Sequence, residues 1–204
     1  IAGGENGKII RTTNAGETWQ EVYTVTGKQI SDIRIKDGVI YAAGYLGTLL
    51  RSTDEGLTWE AVVSPGNNWL KDIRPVSGNL LFASGLSGFV TVSNNGGQTW
   101  HSTPSITRNS LNRSVLLENN EVLFLGEKGL VLSSTDSAQS FTIRSSAITE
   151  NLNSVRFTSL DTGWIVGDRG LIMRTIDGGE TWVRQNSGTT KAINEIFSYN
   201  GIQG

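Results

Sequence analysis

The sequence predicts an all-β chain, a β-propeller of about five four-stranded antiparallel blades, and three observations carry that prediction. A sixteen-residue pattern recurs five times, and its spacing is nearly constant along the chain. Within each copy the apolar residues alternate with a period of two, the period of a strand, rather than the 3.6 of a helix. Four short strands in some forty residues, repeated, are the signature of twisted blades, because one such unit cannot bury its own apolar face.

The clearest copy is GDRGLIMRTIDGGETW, Gly167 to Trp182. The others are GENGKIIRTTNAGETW, GYLGTLLRSTDEGLTW, GLSGFVTVSNNGGQTW and GEKGLVLSSTDSAQSF. Their first glycines are Gly4, Gly44, Gly85, Gly126 and Gly167, and their closing aromatics are Trp19, Trp59, Trp100, Phe141 and Trp182, so both columns step by 40, 41, 41 and 41. Alone, the glycines of one copy could cradle a phosphate, since a backbone without Cβ atoms approaches a pyrophosphate closely. The repeat removes that reading. Four of the six tryptophans fall in one column, and no helical pattern follows the glycines.

In SDIRIKDGVIYAAG, Ile33 and Ile35 alternate around Arg34 before an Asp-Gly turn and a second apolar run. TLLRST and TWEAVV then give the third and fourth strands, joined by the turn DEGL. One domain over 1–204 is expected, with blades at 1–25 plus 190–204, 28–64, 68–105, 110–146 and 150–188. The split first blade follows from the ends of the sequence. IAGGENG matches a second strand (YAAGYLG), and INEIFSYNG matches a first strand (ISDIRIKDG). Setting Gly204 beside Ile1 preserves the 41-residue step. The expectation is a non-covalent strand clasp between the C-terminal segment and the N-terminal blade, which removes the bare sheet edges.

Composition narrows the function. A formal charge of −2 without basic or acidic runs argues against nucleic acid and a bare anionic membrane as partners. No apolar run is long enough to span a bilayer. Without cysteine there is no thiol chemistry, and the single His101, expected on a surface strand, has no second ligand at metal-binding spacing. No metal and no cofactor are expected.

Three columns read as fold devices. Ile1, Tyr41, Phe82, Leu123 and Trp164, three residues before the first glycines, should fill the gaps between blades, as should the closing aromatics. Asn14, Asp54, Asn95, Asp136 and Asp177 should bond backbone amides within their turns, with Gly16, Gly56, Gly97 and Gly179 at positive φ. A catalytic or calcium role for these acids is the sharper alternative, but five equivalent copies around a ring cannot converge on one site.

The run STDEGLTW, Ser52 to Trp59, resembles the Asp-box, or bacterial neuraminidase repeat, and GWIVGDRGLIMRTIDGGETW is similar to the repeat of the photosystem II stability and assembly factor family. The resemblance extends over all five copies. The Asp-box alone is shared with sialidases, xyloglucanases and sortilin-type receptors, so it does not settle function. The longer form is more specific. It implies a non-enzymatic propeller scaffold, exported to the periplasm, thylakoid lumen or exterior, that binds a protein partner such as a membrane-protein subunit. Members of that family usually have seven blades, against five copies here.

Arginines are the asymmetric feature. Arg11, Arg51, Val92, Ser133 and Arg174 precede the boxes, and a second set on the innermost strands reads Arg34, Arg74, Leu116, Arg156 and Phe197. Blade 4 lacks both arginines, has Phe141 for tryptophan and SAQS in place of the glycines, and so looks degenerate. Two readings stand. Arg11, Arg34, Arg51, Arg74, Arg156 and Arg174 form a partner-binding patch able to hold carboxylates, as the resemblance implies, or they bond carbonyls and stack on aromatics for the fold.

Two other functions compete. A glycoside hydrolase needs paired carboxylates or a tyrosine nucleophile, for which Glu118, Asp161 and Tyr41 are candidates. A lectin needs exposed aromatics in equivalent loops, and Trp69 is a single such residue.

Overall fold

Short strands, the middle ones of the blades buried along nearly their whole length, build five antiparallel sheets in a computed structural model that describes residues 1–117, 119–144 and 148–197. The chain falls into two units, Ile1–Arg108 and Asn109–Gly204. The first unit holds three sheets. β1 (Ala2–Gly3), β2 (Ile9–Arg11) and β3 (Gln20–Tyr23) form a three-stranded one. β4 (Ile30–Lys36), β5 (Val39–Gly44), β6 (Thr48–Ser52) and β7 (Glu60–Val62) follow, then β8 (Leu70–Ser77), β9 (Leu80–Gly85), β10 (Val90–Ser93) and β11 (His101–Ser102). The second unit holds β12 (Leu111–Leu116), β13 (Val122–Gly126), β14 (Val131–Ser134) and β15 (Thr142–Arg144), then β16 (Leu152–Phe157), β17 (Gly163–Gly167), β18 (Ile172–Thr175) and β19 (Val183–Gln185). Each sheet pairs its strands in chain order, which is the blade expected from the repeat. His101 is exposed on β11, as expected.

The first glycine of the repeat is required by a close approach at Gly44, Gly85, Gly126 and Gly167, though not at Gly4. A Cβ on Gly44 would lie 1.9 Å from the carbonyl oxygen of Gln29, so only glycine lets the first strand of the blade come so near. The first strand also carries a bulge at the same place in all four complete blades: Ile30/Asp32, Leu70/Asp72, Leu111/Arg113 and Leu152/Ser154.

The core lies between adjacent sheets within each unit. Tyr41, Ala43 and Leu49 pack with Leu70, Ile73 and Leu81 of the next blade, and Trp100 closes that layer. In the second unit Leu123, Leu125 and Val131 meet Leu152, Val155 and Ile165, with Trp182 at the edge. Each buried side chain of this size contributes about 1.5–3 kcal/mol. The column before the first glycine works as expected in its middle members: Tyr41, Phe82 and Leu123 are buried, whereas Ile1 is 40% exposed and Trp164 half-buried. Its means of packing could not be read from spacing. Tyr41 lies 2.8 Å from where a Cβ on Gly97 would sit, and Leu123 3.2 Å from that of Gly179. The box glycines therefore accommodate the previous blade's column besides adopting positive φ, 79° at Gly97 and 89° at Gly179. Trp19, 48% exposed, departs from the expected burial of the closing aromatics.

Strand register corrects one assignment. Arg34, Arg74 and Arg156 pair with Tyr41, Phe82 and Trp164, but Leu123 pairs with Val115, so Val115 rather than Leu116 occupies the column in blade 4. Turns of different length between first and second strands cause the slip. Of the expected clasp, 198–204 lie outside the described residues, and residues 192–197 form no strand ladder. The Ile193 amide donates to the Gly167 carbonyl at 3.0 Å, as Ile30 does to Gly4 at 2.9 Å, so the segment begins beside the fifth blade as a first strand does beside its predecessor.

Candidate functional site

Register brings the two arginine sets into one row. Arg34 pairs with Tyr41 and Tyr41 with Arg51, while Arg156 pairs with Trp164 and Trp164 with Arg174. An aromatic is thus flanked by a guanidinium on either neighbouring strand. In blade 4 the same row reads Val115, Leu123 and Ser133, without charge.

In the first unit Arg11, Arg34 and Arg51 tie one blade to the next. Arg11 Nε donates to the Glu55 carbonyl at 2.8 Å, and Arg51 Nε to the Gly96 carbonyl at 2.9 Å. Both acceptors follow the turn residue of the next blade's box, Asp54 and Asn95. Arg34 lies 3.2 Å from Asp32 and 3.9 Å from Asp72 on the following blade, and Arg74 lies 3.8 Å from Asp72. Asp32 also accepts the Ile73 amide at 3.1 Å. Both carboxylates are buried, where an ion must be paired to be tolerated. Sequence reasoning missed Asp32 and Asp72. The one signal was their equivalent place two residues after Ile30 and Leu70, masked by the bulge.

In the second unit the arginines are exposed. The Arg174 guanidinium stands 5.8 Å from the Trp164 ring centre, and that of Arg156 stands 5.9 Å from the ring of Phe197, itself 78% exposed. Three contacts hold the segment that presents Phe197: Asn153 Nδ2 donates to the Ile193 carbonyl at 3.1 Å, Ser154 Oγ to Glu195 at 2.9 Å, and Arg113 pairs with Glu195. Two guanidiniums beside two aromatic rings can hold a carboxylate while the rings receive an apolar neighbour.

The turn acids are spent within their own boxes. Thr58 donates to Asp54 from its amide at 2.9 Å and from its hydroxyl at 2.6 Å, and Ser52 donates at 2.8 Å. Asp136 and Asp177 repeat the arrangement with Ser140 and Thr181. The Thr58 hydroxyl and amide lower Asp54 from 3.8 to about 2, and Ser140 and Thr181 do the same for Asp136 and Asp177. Of the hydrolase candidates, Glu118 lies outside the described residues. Asp161 sits in the β16–β17 turn, where its carbonyl accepts the Gly178 amide at 2.9 Å. Tyr41 is buried, and burial raises its hydroxyl pKa while Arg51 opposes that rise. Trp69 precedes β8 and donates to Ser31 Oγ at 2.7 Å. Among the described residues no three His, Asp or Glu side chains are placed to hold a metal.

A family model described as photosynthesis system II assembly factor YCF48 matches residues 133–204, the part that carries Arg156, Trp164 and Arg174. The chain is a BNR-repeat propeller that resembles this factor. Among solved structures, YCF48 from Cyanidioschyzon merolae is 17% identical, with a TM-score of 0.56 over 94% of this chain and 82% of that one. The GH74 enzyme of Niastella koreensis is 17% identical at a TM-score of 0.66, and the GH74 xyloglucanase of Xanthomonas campestris 15% at 0.67. Each of those two matches spans 89% of this chain but 34% of the enzyme. At such identities the likeness shows the fold alone. A search of curated proteins finds no match. No helix among the described residues is long and apolar enough to cross a membrane.

Proposed function

We propose that this BNR-repeat propeller is a non-enzymatic scaffold, working in an exported compartment, that holds a segment of a protein partner against the exposed row Arg156, Trp164 and Arg174. The observation that carries the reading is the assembly-factor match over 133–204, which contains that row. The partner is a polypeptide, as the resemblance to assembly factors implies, and a membrane-protein subunit is the favoured kind. Its contact is a carboxylate set between two guanidiniums, with an apolar neighbour on Trp164 and Phe197. Arg11, Arg34 and Arg51 tie blades of the first unit together instead, and Arg74 faces Asp72 on its own strand.

The test is a pull-down from solubilised membranes of the source organism, with wild type and an Arg156→Glu/Arg174→Glu variant side by side. Capture of one protein by wild type and its loss in the variant, at an unchanged melting temperature, is the expected result. Equal capture by both removes the row from the site. Turnover of a fluorogenic glycoside well above buffer overturns the scaffold reading in favour of a hydrolase.

A further inference from the structure

We propose that a cleft in the first unit binds an uncharged pyranose ring of a saccharide against an aromatic corner made by Tyr45 and Trp69. The cleft has a volume of ≈ 300 Å³ and lies where the turn Tyr45–Gly47 of the second blade meets the chain entering β8, lined also by Glu5, Asn6, Lys28 and Gln29. The corner is particular to this joint of the repeat. In the fourth and fifth blades the residue after the first glycine is an acid turned onto its own blade: Glu127 accepts the Ser110 amide at 3.0 Å, and Asp168 accepts the Asn151 side-chain amide at 2.9 Å. In the second blade that residue is Tyr45, which is 40% exposed and meets Trp69 of the next blade, with ring centres 5.5 Å apart and planes at 89°. The bond from the Trp69 indole to Ser31 Oγ, 2.7 Å long, fixes that ring before any ligand arrives and leaves it to act through its apolar surface.

What surrounds the two rings calls for a ligand without net charge. Lys28 and Glu5 are the charged residues of the lining, and they cancel. Lys28 Nζ donates to the Leu46 carbonyl at 3.1 Å and keeps further donors, while the side chains of Glu5, Asn6 and Gln29 are exposed and make no hydrogen bond among the described residues. An ammonium, a carboxylate and two carboxamides together both donate and accept. A hydroxyl does the same, so a ring bearing several hydroxyls matches all four groups. A pyranose with equatorial hydroxyls turns its C–H bonds to an aromatic face and its hydroxyls outward to such a rim. A quaternary ammonium would use the rings but leave the amides unmatched. Glycoside cleavage takes a pair of carboxylates, whereas Glu5 alone lines the cleft, so the site holds a sugar without cutting it.

The probes are methyl β-glucoside and cellotetraose, titrated by NMR against the whole chain and read on its tryptophan indole signals, with choline and a blocked Ala-Pro-Ala peptide as controls. Wild type should bind a saccharide in about the millimolar range. The affinity should stay flat between about 0.05 and 0.5 M salt, because the ligand carries no charge to be screened. Tighter binding of cellotetraose assigns the cleft to a polysaccharide, and equal binding of the two probes assigns it to a single sugar unit. Tyr45→Ala should weaken binding at least about ten-fold at an unchanged melting temperature, since the ring is exposed. Gln29→Ala should weaken it about three-fold, and it carries the test if Tyr45→Ala does not fold. No response at about 10 mM of either saccharide, an equal response to choline or the peptide, or undiminished binding to both variants overturns the proposal. Arg156 and Arg174 lie in the other unit, so failure here leaves their reading standing, and failure of the pull-down leaves this one standing.

Discussion

The arginines of this chain stand in two settings, and the difference lies in what faces the guanidinium. Arg51 meets the Gly96 carbonyl of the next blade, whereas Arg156 is exposed beside Phe197. Arg51→Ala should therefore destabilise by about 1–2 kcal/mol in urea melts, the scale of a charge-assisted bond to a half-buried carbonyl. Arg156→Ala should stay within about 0.5 kcal/mol of wild type. A second residue-scale prediction concerns Ser137, exposed at φ 61° where two other boxes have Gly96 and Gly178 at 68° and 71°. Ser137→Gly should stabilise by about 0.5–1 kcal/mol, because an L side chain in the left-handed region is strained and this one packs against little. An unchanged or lower melting temperature would show that the turn carries no such strain.

At the scale of the element, the box links acidity to folding. Asp54, Asp136 and Asp177 have folded pKa values of about 2 against an ordinary 3.8, so their stabilisation is present above 3.8 and lost as pH falls toward 2. Blades 1 and 3 carry Asn14 and Asn95 instead, which accept the Thr18 and Thr99 amides at 2.9 Å and donate to the same hydroxyls at 2.9 and 2.8 Å. The triple variant Asp54→Asn, Asp136→Asn, Asp177→Asn should match wild type at pH 7 and lose less stability between pH 4 and 2. A parallel acid profile for the two proteins would assign the acid sensitivity elsewhere. The element was also what the sequence displayed best. Period two, the turn residues and the 41-residue step belong to neighbours in the chain, so the strands and boxes were legible. The ties of Arg11 and Arg51 were not, because they join residues 44 and 45 positions apart whose facing depends on register. Asp32 and Asp72 were hidden by a bulge that breaks the alternation just before them. The place given to Leu116 slipped by one because the turns before the second strands differ in length.

For the molecule as a whole, the proposed capture of a partner through exposed guanidiniums carries a salt signature. Capture by the Arg156 and Arg174 row should weaken steadily as ionic strength rises from about 0.05 to 0.5 M, since exposed charges are screened within about 10 Å at 0.1 M. Stability should change little over the same range, because the buried Asp32 and Asp72 are shielded from the added ions. Capture indifferent to salt would mean that apolar contact with Trp164 and Phe197 dominates. The box glycines hold a consequence for how such a chain can lengthen. Blades 1, 2 and 4 each send a bulky side chain forward onto the box glycine of the next blade, and blades 1 and 2 an arginine as well. In blade 2 the donor column, Tyr41 and Arg51, and the receiving box at Gly56 thus lie in one repeat. A duplication of one full repeat supplies both halves of the new joint at once, while a gain of any other length breaks the match on both sides. Recombination is left with one permitted increment, the whole blade.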